Sequence, residues 1–267
     1  MKKSVKQIHL EEEINAVLDG KSKEIANFIF QDEEIIAMQD YANVVSIKRL
    51  GYNDHGPVHM RKAALNALNM FNLLSEAGIK MNIEREQLGT KEDSRVVVLT
   101  ASLLHDLGMT IARDNHELMS ITLATPIVNN ILETFYHGDI TKQVILRSLI
   151  LEGIWGHMAT RTIHSLEAGL VLIGDGCDME KGRARITTLL SNKPRVGDIH
   201  KYSSIAIQHV NIIKGEKKPI KIEVLMNQSV GFFQVEEVLF PKIASSPVKP
   251  YIELTAAVRD EEPLRYL

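Results

Sequence analysis

From about Ile8 to Leu190 apolar residues recur at intervals of three and four, and glycine or polar breaks separate stretches of helical length. The pattern predicts helices near 9–19, 23–47 with a break near Gln31, 55–77, 91–107, 115–135, 142–154, 164–177 and 182–191. In the third of these, Asp54 is placed to cap and Pro57 is tolerated in the first turn. Ala63, Ala64, Ala67, Leu68, Phe71 and Leu74 then form one apolar stripe that Gly78 ends, which marks a core helix. After the break from Ser191 to Gly197 the period changes to two, most clearly over Ile220–Val224 and Ile252–Ala256. Strands near 205–214, 219–226 and 250–258 and a helix near 231–243 follow, in the order β-β-α-β. The expected fold class is mainly α: a helical bundle over 1–192 and a small α+β domain over 193–267. The apolar side of the 231–243 helix suits it to cover the sheet, and 260–267 reads as a loosely held tail.

With 267 residues, 45% hydrophobic and 24% charged, the chain has ample material for a core and is not a disordered polymer. Its single cysteine, Cys177, cannot form an intrachain disulfide or build a thiolate cage. Any bound metal must therefore take nitrogen or oxygen ligands, and the chain reads as intracellular. The net charge of -3 and the lack of a long basic run argue against nucleic acid as a partner. Lys2 and Lys3 are followed by Glu11, Glu12 and Glu13 in place of an apolar signal core, and the most apolar windows are too short to span a bilayer. A cytoplasmic protein with no membrane partner is expected. The N-terminal helices and the edge of the C-terminal sheet are compatible with a homo-oligomer.

Chemistry enters through the histidines, several of which stand at helix ends beside Asp and Gly. His55 and His59, four apart, share one helix face, a pattern that also suits a cap or a satisfied buried pair. His105 and Asp106 close a strongly apolar run. Burying that carboxylate is costly unless a cation or hydrogen-bond donors compensate, which fits a metal and equally a simple helix-end hydrogen bond. Asp175 repeats the situation at the end of the apolar run Gly169–Gly174, and His116 and His157 open and close neighbouring helical stretches.

Taken in order, His59, His105–Asp106 and Asp175 resemble the ligand series of the HD-domain metal-dependent phosphohydrolases, over roughly residues 50 to 190. The resemblance rests on the ordered set, including Leu103-Leu104-His105-Asp106-Leu107-Gly108 and Gly174-Asp175-Gly176-Cys177-Asp178-Met179. It implies an HD-type helical bundle. In two-metal members further histidines lie between the His-Asp pair and the last Asp, and His116 and His157 match them best; His137 and His164 are the substitutes. Asp106 would then bridge two ions. The arrangement of His55 and His59 is similar to that of cyclic-nucleotide phosphodiesterases, which implies a catalytic acid at His55 and a ligand at His59. Where many members carry Lys or His after the Gly of His-Asp-x-Gly, this chain has Met109, and the Gly-Tyr-Pro signature of cyclic-dinucleotide-cleaving relatives is absent.

The activity implied is hydrolysis of a phosphomonoester or phosphodiester, on a small, nucleotide-like phosphorylated substrate, by metal-activated water. Imidazoles and carboxylates without thiolate suit one or two divalent ions among Mn, Fe, Co, Ni, Zn and Mg. Arg113, Lys62 and Arg183, with Arg185 beyond, are the candidates for gripping phosphate. Asp178 is placed to orient a ligand, and Cys177 reads as a small buried hydrophobe. Trp155, Met158 and Met179 flank ligand positions but are explained equally well by packing. Two rival readings share the residues: a di-iron oxygenase on the same ligand set, and a non-catalytic nucleotide-binding sensor.

Overall fold

Ser4 opens α1 (Val5–Val17) by accepting the Gln7 N–H at 3.2 Å. The break expected near Gln31 falls at Asp32, which follows α2 (Gly20–Gln31) and caps α3 (Glu33–Val44) by accepting from Ile35. The computed structural model describes residues 3–181, 183 and 198–267. After α3 come α4 (Pro57–Glu76), α5 (Asn82–Arg85), α6 (Lys91–Leu104), α7 (His116–Phe135), α8 (Ile140–Gly156) and α9 (Leu166–Gly176). Asp54 does not cap α4 directly: Gly56 holds the cap position, and the Asp54 carboxylate accepts the Gly56 N–H at 2.8 Å. The single-turn α5 has no periodicity to betray it. It is held by the buried Glu167 carboxylate of α9, which accepts the Asn82 and Ile83 N–H groups and the Ser94 hydroxyl.

The apolar stripe of α4 makes it the central helix, with α1, α6 and α9 packed around it and the α7–α8 pair resting on α6. Where α9 crosses α4 the backbones are too close for a side chain. A Cβ on Gly174 would stand 2.7 Å from the Ala63 carbonyl oxygen, and this contact sets the height of the next residue, Asp175.

The C-terminal part begins with α10 (Asp198–Ala206), so the first strand starts at Ile207 and not at 205. A four-stranded sheet follows in the order β1 (Ile207–Lys214), β2 (Ile220–Met226), β3 (Ile252–Val258), β4 (Leu264–Arg265). β1 and β2 pair antiparallel, β2 and β3 parallel, and β3 and β4 antiparallel. The expected helix over 231–243 is irregular: α11 (Phe232–Gln234) and α12 (Phe240–Ser245) are joined by a π-helical turn over Val235–Leu239. The tail is not loose. Leu264 pairs with Ala256, the Tyr266 N–H donates to the Leu254 carbonyl at 2.9 Å, and the Tyr266 hydroxyl donates to Glu236 at 2.8 Å. Two paired residues are too few for alternation to show.

Ile220, Ile222, Val224 and Met226 of β2 point inward against Met70, Phe71 and Leu74 of α4 and Leu170 and Ile173 of α9, in one continuous apolar cluster. The sheet therefore completes a core that the helices leave open, and the fold is mainly α with a small α+β part. Apart from Arg183, the predicted helix at 182–191 and the boundary at 192/193 lie outside the described residues. Among the described residues no helix is long and apolar enough to cross a membrane.

Asp93 ties three helices together. Its carboxylate accepts from the Thr90 N–H at the start of α6 (2.8 Å), from the Tyr136 hydroxyl after α7 (3.0 Å) and from Lys142 in α8 (2.9 Å). Burial alone would raise its pKa, but the Lys142, Thr90 and Tyr136 hydrogen bonds hold it below the usual carboxylate value. Asp93→Ala is expected to cost about 2–3 kcal/mol, a melting-temperature drop of roughly 5–10 °C by calorimetry at pH 7. A depressed carboxylate contributes above its unfolded pKa, about 4, and loses that contribution as pH falls through its folded value. The gap between wild type and variant should therefore close in acid.

Candidate metal centre

The polar residues expected at helix ends meet at one end of the bundle. His59 lies in the first turn of α4 and Asp175 in the last turn of α9; His116 opens α7, and His105 and His157 are the residues that close α6 and α8. The last carbonyls of a helix lack intrahelical partners. Two of them, Ser102 O in α6 and Ile154 O in α8, accept the Nδ1–H of His105 (2.8 Å) and His157 (2.7 Å). The Arg113 carbonyl does the same for His116 at 2.9 Å. A carbonyl can only accept, so these rings carry their proton on Nδ1 and turn Nε2 into the centre. His59 points Nε2 the same way and sets Nδ1 2.7 Å from Asp178.

Asp106 lies between the four rings. Its Oδ2 is 3.3 Å from His59 Nε2 and 3.4 Å from His105 Nε2, while its Oδ1 is 3.2 Å from His116 Nε2 and 3.5 Å from His157 Nε2. Asp175 Oδ1 joins the first set, 3.1 Å from His59 Nε2 and 3.8 Å from His105 Nε2. All of these side chains are buried. Two groups that could hold a metal ion result, His59–His105–Asp106 and Asp106–His116–His157, each with donor atoms within 4.8 Å of one another.

The donors fit such ions in spacing and in chemistry. With metal–ligand bonds of about 2.0–2.2 Å, neighbouring ligands on one ion lie roughly 2.8–3.6 Å apart. Most of the separations above fall in that range. His116 Nε2 and His157 Nε2 are only 2.9 Å apart, and in neutral rings both atoms present lone pairs to the same space. Two lone pairs at that distance are tolerated only with a cation or proton between them.

The electrostatics are those of buried carboxylates kept charged. Burial would raise the pKa of Asp106, but His105, His116 and His157 hold it well below the carboxylate range. Asp175 is held down in the same way, against burial, by Lys242 and His59. His59 is pushed down by burial and by Arg183, yet its contacts with Asp106, Asp175 and Asp178 outweigh both and raise it to about 10. Burial pushes His157 down to about 4, so this ring is neutral.

A cavity of about 680 Å³ opens over the centre, with Asp106, His116, His157 and Asp175 on its floor. His55, Arg113 and Arg183 are on its walls. Arg183 Nη2 stands 3.2 Å from His59 Nε2, and Arg113 Nη1 stands 3.5 Å from His116 Nε2, one guanidinium beside each group. The His55 Nδ1 is 2.7 Å from the Asn53 carbonyl and 2.8 Å from the Ser46 hydroxyl, and burial holds its pKa well below 6.5. The Asn53 carbonyl can only accept, so Nδ1 carries its proton, and the ring stands on the cavity wall where a catalytic candidate was expected.

Lys62 is absent from the residues that line the cavity, so no phosphate grip is assigned to it. His137 is exposed and paired with Glu133, and His164 is exposed with its backbone N–H bound by Glu152, both away from the donors. Arg185 lies outside the described residues. Met158 lines the cavity, whereas Trp155 stacks under Arg161 at 4.6 Å. One residue of the site was missed from sequence: Lys242, on α12, whose ammonium pairs with Asp175 Oδ2 and donates to the His157 carbonyl at 2.7 Å. Its partner in sequence terms is 67 residues away, and the segment around it reads simply as an amphipathic helix.

Fold and site together define a mainly α protein with a buried His/Asp centre able to hold metal. Over 253 residues, 95% of each chain, the sequence is 36% identical to the uncharacterized protein MJ1020 of Methanocaldococcus jannaschii, and it belongs to the same family. No family model matches it, and no solved structure matches it significantly.

Proposed function

We propose that this protein is an HD-domain metal-dependent phosphohydrolase that cleaves a phosphomonoester or phosphodiester bond of a small, nucleotide-like substrate. The observation that carries the reading is Asp106, whose two carboxylate oxygens face two different pairs of imidazoles on the floor of a deep cavity. Divalent ions held there would supply an acidified water and neutralise charge on the phosphoryl oxygens. Arg113 and Arg183 bind and orient the phosphoryl group from either side of the floor. His55, held through Nδ1 by the Asn53 carbonyl and beside the Ser46 hydroxyl, is placed to pass a proton to the leaving oxygen. Asp178 fixes the His59 ring through Nδ1. Leu50, Tyr52 and Pro241 form the less polar part of the wall, against which the organic portion of the ester rests and water is excluded. The buried, free Cys177 accords with a cytoplasmic setting.

The test is metal analysis of the purified protein, followed by phosphate release from a panel of nucleotides and phosphodiesters with each candidate ion. Metal-stimulated release that a chelator abolishes is the expected result. A protein that neither binds nor responds to metal would overturn the reading, iron-dependent oxygen uptake without phosphate release would replace it with an oxygenase, and nucleotide binding without turnover would replace it with a sensor.

A further inference from the structure

The C-terminal part had no legible role in the sequence, yet one of its side chains reaches the floor of the cavity. Lys242 is 7% exposed and extends from α12 across the end of α9. Its path depends on Gly176: a Cβ there would come within 2.9 Å of Lys242 Cδ and 3.3 Å of Leu239 Cδ1. The ammonium ends against two residues that belong to different halves of the centre. It pairs with Asp175 Oδ2, leaving Oδ1 turned toward His59 and His105, and it donates to the main-chain carbonyl of His157, whose ring stands beside His116. A carboxylate with one oxygen anchored cannot rotate its other oxygen away from the donors, and an anchored carbonyl fixes the backbone that carries the His157 ring. The supporting segment is built for the purpose of holding a defined position. Its π-helical turn aims Glu237 and Val238, together with Pro241 and Lys242, at the cavity, and the Gln234 side chain is tied to Ser203 at 2.8 Å.

We propose that Lys242 is a positioning residue that straps together the two halves of the metal centre, so that the C-terminal part completes the site. This rests on the metal-centre reading but not on the identity of the substrate.

The test compares full-length wild type, Lys242→Met and Lys242→Gln by titration with Co(II), read by its visible absorption spectrum and by calorimetry, with melting temperature and kcat and KM measured alongside. Methionine keeps the alkyl stem and removes the charge; glutamine restores one neutral donor. The expected result is Co(II) binding weakened by roughly 10–100-fold in Lys242→Met, the scale of removing a partner that orients a ligand. An altered Co(II) spectrum, a smaller loss in Lys242→Gln and a fall in kcat at little-changed KM should accompany it. Wild-type affinity and spectrum in folded Lys242→Met would overturn the proposal while leaving the metal centre intact. Failure of the wild type to bind Co(II) at all would overturn both.

Discussion

Asp106→Ala should strip metal from both halves of the centre at once and reduce metal-stimulated phosphoester hydrolysis by at least ~10³-fold, equivalent to about 4 kcal/mol of barrier. The expectation follows from the sharing of one carboxylate: Oδ2 serves His59 and His105, and Oδ1 serves His116 and His157. Loss of any single histidine removes a donor from one group, whereas loss of Asp106 removes a donor from each. Asp106→Asn, which keeps the volume but replaces one oxygen with an N–H donor, should spare at most one half. Metal content by mass spectrometry and phosphate release would check both variants. An Asp106→Ala protein that retained two ions and full turnover would show that the carboxylate does not bridge.

Gly108→Ala should separate the two halves without touching a donor atom. A Cβ at this position would stand 2.0 Å from the His116 carbonyl oxygen and 2.5 Å from the Ser120 nitrogen, both backbone atoms of the first turns of α7. The Gly108 N–H also donates to the Ser120 hydroxyl at 2.8 Å. Backbone cannot swing aside as a side chain can, so α7 must shift and carry His116 off Asp106. The expected cost is about 2–4 kcal/mol of stability, with a stoichiometry near one ion per chain in place of two. Thermal denaturation and metal titration read the two effects separately, and an unchanged stoichiometry would show that α7 accommodates the methyl without losing His116.

The glycine after His105–Asp106 therefore has a steric reason, and such reasons explain which parts of this protein the sequence makes legible. The elements came from periodicity: the stripe of α4 and the alternation of β2 both appear where expected because each buries one face. Asp106 and Asp175 stood out because a carboxylate at the end of an apolar run is costly without a partner, whereas His59, His116 and His157 were singled out as ligands by the family resemblance. What stayed hidden has no local signature. The single-turn α5 is fixed by Glu167, whose carboxylate comes from 84 and 85 residues away, and Lys242 meets Asp175 only once the chain has folded back. The setting of the His55 ring was equally invisible, since it is held by a carbonyl and a hydroxyl that it meets through a loop.

The core common to α4, α9 and the sheet also bears on how the chain is made. Phe71, Leu74, Leu170 and Ile173 leave the ribosome well before β2, and β2 waits in turn for β3, its parallel neighbour. Throughout that interval the nascent polypeptide presents a greasy, half-covered flank, the kind of surface on which chaperones act and aggregates start. Maturation of the helical bundle is thus tied to synthesis of β3, and a product cut short before it is expected to be cleared or precipitate and not to persist as a smaller working protein.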